Sequence, residues 1–186
     1  IDTAVYTCEA YGCYAKMMKK IGREQEADKY FFLFQRVKDA INDKLWDDRA
    51  GLYCDAYASY DVINQKRETI DRLVEDCESE EIKSYIRTLL EERKNDGAEE
   101  KGWLLNRNWV INTPMEIGIA PEDQAERALA RMRKYDFIGR YGMYLDALTQ
   151  RAVMTINTGV MAVAQAMYGH CNEALGLIEK TFDTYS

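Results

Sequence analysis

Three times in this chain an isoleucine is followed by Asp or Asn, then Thr, then proline or a small residue. The copies are Ile1-Asp2-Thr3-Ala4, Ile111-Asn112-Thr113-Pro114 and Ile156-Asn157-Thr158-Gly159. Each opens an apolar stretch of small residues, followed by a short break and an amphipathic stretch containing Glu26-Ala27, Asp123-Gln124-Ala125 or Glu173-Ala174. Ile156 follows Ile111 by 45 residues, and Ile111 follows Ile1 by 110, which leaves room for one diverged unit between them. Repetition at such a period predicts helical hairpins that stack into a solenoid or a closed ring. The Asx-Thr pair supplies side-chain oxygens to cap orphan amides. The apolar helix must then be buried on most sides, with its amphipathic partner outside.

The rest of the sequence agrees with an all-α chain. Only Pro114 and Pro121 occur in 186 residues, as long helices require. Val5, Cys8, Tyr11 or Gly12, Ala15 and Met18 recur at helical spacing over Asp2 to Ile21, and Gly22 ends that run. A second helix is expected over 24–45, with Ala27, Tyr30, Phe31, Phe34, Val37 and Ile41 on one face. Two charged helices follow at about 62–77 and 80–94. A mostly apolar one is expected from Trp109 to Ala120, then one over 122–134 led by Pro121, and a last pair at about 158–168 and 172–184. This gives about eight helices, or four hairpins, in a single domain over 1–186.

Net charge of −7 and a pI near 4.9, with Lys and Arg mixed among acids, exclude the basic stripe of a nucleic-acid binder. No apolar run approaches a membrane span. Five dispersed cysteines without a CxxC pair are expected to be buried free thiols, and the single His170 reads as a polar turn residue. No phosphate loop, metal-ligand set or other cofactor motif is present; Asp47, Asp48 and Asp55 lack the spacing of a calcium loop and read as solvated turns. The absence of an initial methionine is what a mature or excised piece would show, and bacterial cytoplasm, periplasm and secretion all remain open as locations.

Three stretches, Ala27 to Tyr53, Asn108 to Ala120 and Gln150 to Ala174, resemble the six-hairpin glycosidases, the (α/α)6 toroids of the rhamnosidase-like and glycogen-debranching-like kind. The resemblance rests on Asn108-Trp109-Val110-Ile111-Asn112-Thr113-Pro114-Met115-Glu116, on Thr155-Ile156-Asn157-Thr158-Gly159, on Tyr168-Gly169-His170-Cys171-Asn172-Glu173-Ala174 and on the Trp46 turn leading to Leu52-Tyr53. It implies an incomplete α/α toroid, part of a larger (α/α)6 catalytic domain. Its exposed inner helices would meet the rest of the barrel or another copy of the chain. It also implies an oligo- or polysaccharide ligand and a pocket at the end of the ring where inner helices begin.

Glycoside hydrolysis calls for two carboxylates, about 6.5–9.5 Å apart when configuration inverts. Glu116, one turn into an inner helix and flanked by Met115 and Ile117, is the first candidate, because burial there would suit it to acid–base work. Its structural alternative is a first-turn glutamate serving the helix dipole. Asp146, before the last hairpin, is the second candidate, with a solvated loop acid as its alternative. Asp2 reads as a cap of the first helix. Trp103, Arg107 and Trp109 lead into an inner helix, Arg140 and Tyr141 lie in the loop before the last one, and Asn112 and Asn157 stand at helix starts; these seven are the expected sugar-binding residues. Two other functions compete: a non-catalytic helical-repeat scaffold or carbohydrate-binding piece, favoured by the short length, and a lyase using Tyr141 or Tyr144 as base. An epimerase needing several histidines is disfavoured.

Overall fold

The helical spacing of the apolar residues translates into nine α-helices and one 3-10 turn among the described residues, which are 1–148 and 152–183 of this computed structural model. In chain order they are α1 (Asp2–Lys20), α2 (Glu24–Lys44), α3 (Tyr60–Asn64), α4 (Arg67–Asp76), α5 (Glu80–Glu92), the 3-10 turn Trp109–Asn112, α6 (Thr113–Glu116), α7 (Glu122–Met132), α8 (Thr155–Met167) and α9 (Cys171–Phe182). Strands are short and pair only in twos, all antiparallel. They are β1 (Trp46–Asp47) with β2 (Leu52–Tyr53), β3 (Ala56–Ser59) with β4 (Glu100–Trp103), and β5 (Ile138–Gly139) with β6 (Gly142–Met143). Among the described residues no sheet crosses the core and no helix is long and apolar enough to span a membrane.

α1 packs along α2 and α8 along α9, while α6 touches both α1 and α8. All three of α1, α6 and α8 stop in the same way. Gly22, Gly118 and Gly169 adopt positive φ of 76°, 69° and 84°. Around each, two amides fold back onto the last turn: Gly22 N to Lys19 O and Arg23 N to Met18 O; Gly118 N to Met115 O and Ile119 N to Pro114 O; Gly169 N to Ala166 O and His170 N to Gln165 O. This is the paired bonding of a Schellman motif, which satisfies carbonyls the helix leaves unpaired and needs a residue tolerant of the left-handed region.

Several expected boundaries change. The run 109–120 is not one helix: a 3-10 turn and a single α-turn end at Glu116, because Gly118 closes the motif early. The run 62–77 splits into α3 and α4, α3 opening on Ser59, whose hydroxyl accepts from Val62 N. The Asx-Thr pairs are not caps. Ile1, not Asp2, precedes α1, and no side chain caps it. α8 begins two residues before Asn157. Thr113 Oγ1 instead donates to Val110 O at 2.8 Å, and Thr158 Oγ1 accepts from Met143 N at 2.9 Å.

The expected fourth hairpin takes a different form. The chain leaves through β3, forms α3, α4 and α5, and returns through β4, so α4 and α5 ride on a ribbon. Ile82, Ile86, Leu89 and Leu90 of α5 still join one continuous core with Leu52, Trp103, Ile111, Leu129 and Met161. Burial of each such aliphatic side chain contributes about 2 kcal/mol.

Candidate functional site

The starts of α1, of the 3-10 turn before α6, and of α8 are joined by an unbroken run of polar contacts. The amino group of Ile1 donates to Asp55 O at 3.4 Å. The Asp55 carboxylate accepts four consecutive backbone amides, Leu105 at 2.7 Å, Asn106 at 3.0 Å and Arg107 at 3.1 Å on Oδ2, and Asn108 at 2.9 Å on Oδ1. Asn108 bridges Asp146 through the backbone, Trp109 N donates to Leu145 O, and Ala147 N donates to Arg107 O. Leu145 N then reaches Ala152 O, and Met143 N reaches Thr158 Oγ1 inside the first turn of α8. All three Ile-Asx-Thr copies therefore lie at one end of the row.

Asp55 is the organiser of this end. Successive amides that converge on one anion form a nest, and closing it puts Arg107 at φ 51°, the one non-glycine residue with positive φ among the described residues. The residue keeps some solvent contact, but its carboxylate is enclosed. That burial pushes its pKa up, against the pull of the four amides. The sequence carries no local sign of this role, since the loop it binds lies some fifty positions away; a solvated turn was the expectation for Asp55, and an enclosed anchor is the finding.

The expected lining residues separate into two groups. Trp103 is 1% exposed, donates its indole N–H to Ala58 O at 2.8 Å and lies under the Arg93 guanidinium, so it is a core residue with no open face. Arg107 is 2% exposed, its guanidinium 5.1 Å from the Tyr85 ring centroid, and burial lowers its pKa. Asn112 and Asn157 are fully enclosed, and their carboxamides bond to no described residue. Trp109 and Asp146 stay half-buried beside each other's segments; Asp146 Oδ1 accepts from Leu148 N at 2.9 Å. Arg140 and Tyr141 are exposed at the β5–β6 turn, the guanidinium 5.1 Å from the tyrosine ring.

Glu116 is half-buried, with Met115 beside it fully buried, so its side chain leaves the apolar patch that was expected to enclose it. Its Oε2 accepts the Tyr6 hydroxyl of α1 at 2.8 Å. Partial burial, then the Glu116 acceptor, then the charges of Glu116, Asp2 and Glu9 push the Tyr6 hydroxyl well above the usual phenol range. Tyr6 and Asp2 thus share an electrostatic neighbourhood with Glu116. Tyr6 itself is 40% exposed, and no feature of the sequence marks it as the partner of Glu116.

The remaining polar groups are occupied structurally. Asp47 accepts from Ala50 N and the Tyr85 hydroxyl, and Asp48 pairs with Arg127 at 2.6 Å. His170 is no idle turn residue: its Nε2 lies 3.0 Å from Glu126. Cys8, Cys54 and Cys77 are buried free thiols as expected, whereas Cys13 and Cys171 are exposed. No group of three or more His, Cys, Asp or Glu that would hold a metal occurs among the described residues. No protein-family model and no curated protein matches the chain.

Proposed function

We propose that this chain forms part of a six-hairpin glycoside hydrolase, three successive hairpins of an α/α ring, acting on an oligo- or polysaccharide. The observation that supports it most is the gathering of three inner-helix starts at one end, with Glu116 and its Tyr6 partner about a turn inside. Tyr6 fixes one Glu116 oxygen and leaves Oε1 for a water or a leaving-group oxygen. Asp146 is the second carboxylate. Asp2, whose charge acts on Tyr6 together with that of Glu116, is the alternative to it. Trp109, Arg140 and Tyr141 are the sugar-contacting residues that keep an open surface; Arg107, Asn112 and Asn157 support them from behind.

The ring itself has a physical rationale. α8 carries no charged residue and exposes Ile156, Val163 and Met167, and α9 exposes Leu175, Ile178 and Phe182. A face of this kind is unstable against water, and a further hairpin of the same type covers it. The non-catalytic scaffold reading is favoured by one finding, the burial of four of the seven expected lining residues, Trp103, Arg107, Asn112 and Asn157.

Hydrolysis of an aryl-glycoside panel by the full-length protein decides between them. Turnover that falls by about a thousandfold in Glu116→Gln supports general acid–base work. Substituting Asp146→Asn and Asp2→Asn separately identifies the second carboxylate. Undiminished turnover in Glu116→Gln removes that residue from the mechanism.

A further inference from the structure

The early stop of α6 leaves a consequence on the flank of the site. α1 continues well past the level at which Gly118 turns the chain, and no inner helix accompanies it there. The result is a trough of about 620 Å³ between α1 and α2, floored by Ile117, Gly118 and Ile119. Its wall is aromatic: the rings of Phe31 and Phe34 stack at 6.1 Å and 28°, and Phe31 is 54% exposed. Gly12 makes this wall possible, since a Cβ there would stand 3.1 Å from the Phe34 ring. Around it stand Glu9 and Asp28, and opposite in sign Lys16 and Lys19.

This lining selects a ligand class. Two acids against two lysines leave the lining without net charge, so it favours neither a simple anion nor a simple cation, and four charged groups are a poor partner for an apolar helix. What fits is a neutral ring with an apolar face to lie on the exposed Phe31 ring and hydroxyls at its edge to meet both donors and acceptors. We propose that this trough is a carbohydrate-binding site for a neutral pyranose unit, separate from the Tyr6–Glu116 pair. It goes beyond the hydrolase reading and does not depend on it, because binding here needs no carboxylate chemistry.

Cys13, exposed in the same trough, provides the measurement. In the full chain carrying Cys171→Ser, the one other exposed thiol among the described residues is removed, and alkylation of Cys13 by iodoacetamide is followed. The probes are maltotriose, cellotriose and L-rhamnose. With saccharide binding of Kd about 1 mM, ~20 mM of a bound probe slows alkylation about twentyfold, and Phe31→Ala abolishes the slowing. Alkylation indifferent to all three probes overturns the proposal. So does equal protection by benzoate or tetramethylammonium, and so does protection that survives in Phe31→Ala. Loss of glycosidase activity in Glu116→Gln with Cys13 protection intact separates this site from the catalytic reading.

Discussion

Where α1, α6 and α8 stop, each at its own level, the chain reversal is completed within itself. Gly22, Gly118 and Gly169 bring two amides back onto the turn they follow, and no bond of these motifs passes to another helix. At the starts only the 3-10 turn has a local cap, Asn108 Oδ1 accepting from Val110 N at 3.3 Å. No side chain caps α1, α6 or α8, and the starts are held through Asp55, the 105–109 loop and the 143–147 segment, parts of the chain far apart in sequence. The bonds that make each stop are local, although Tyr168 at the end of α8 donates to Ala120 O just beyond the α6 stop, whereas the starts form one shared device. Sites that need several segments in fixed register belong at the shared end, and Glu116 lies close to it.

Asp55→Ala should have the largest effect. It leaves four converging amides without their acceptor, and a destabilisation of about 3 kcal/mol is expected from chemical denaturation. Because the device is shared, amide exchange should accelerate in the first turns of α1 and α8 as well as in the 105–108 loop. Acceleration confined to that loop would break the comparison. Asp55→Asn keeps one acceptor oxygen and should lose about half as much.

The stops should respond separately. Gly22→Ala and Gly169→Ala meet open space, so each costs only the left-handed penalty of about 1 kcal/mol. Gly118→Ala meets Met167 at 3.3 Å and should cost about 2 kcal/mol. The double variant of Gly22 and Gly169 should equal the sum of the singles within about 0.5 kcal/mol. A clear excess would mean that the stops communicate, and the distinction between the two ends would fail.

Tyr6→Phe probes the one hydrogen bond that links α1 directly to Glu116. The bond is partly exposed, so stability should fall by no more than about 1 kcal/mol. Should the aryl-glycoside panel reveal turnover, the variant should lower kcat while sparing KM, since the hydroxyl positions a reacting group and touches no substrate. A rise in KM with kcat unchanged would make Tyr6 a binding residue instead.

The same contrast explains what the sequence makes legible. The helices α1, α2, α7, α8 and α9 follow from apolar spacing and from breakers such as Gly22 and Gly169, because those determinants act within a few residues. The repeat at 1, 111 and 156 is visible too, but the capping role it suggests is not the one its side chains take. Thr158 bonds the 143 segment rather than capping its own helix, a cross-chain role that no local pattern displays. Gly118 was overlooked as a stop because the surrounding Ile117, Ile119 and Ala120 continue an apolar run, and a turn motif outweighs that run. Trp103 and Arg107 were assigned to a surface since polarity and aromaticity alone do not report depth. Tyr6 and Asp55 act through partners 110 and about fifty positions away, beyond reach of spacing arguments.

The smallest effect belongs to the rim of the shared end, where Asp48 in the turn after α2 meets Arg127 of α7. The Arg127 hydrogen bond, then that of Trp46, then the Arg127 charge hold the Asp48 carboxyl below its ordinary range. A depressed carboxyl stabilises the fold above the ordinary carboxylate range, and that contribution disappears as pH falls through the folded-state value. Both side chains are largely in water, so screening removes most of the attraction. Arg127→Met should therefore lower Tm at pH 7 less than any variant above. The difference from the parent should shrink in 1 M salt and again at acid pH. A deficit that persists under both conditions would show that Arg127 acts by packing its stem on Trp46, whose ring centroid lies 5.3 Å from the guanidinium carbon, rather than by charge.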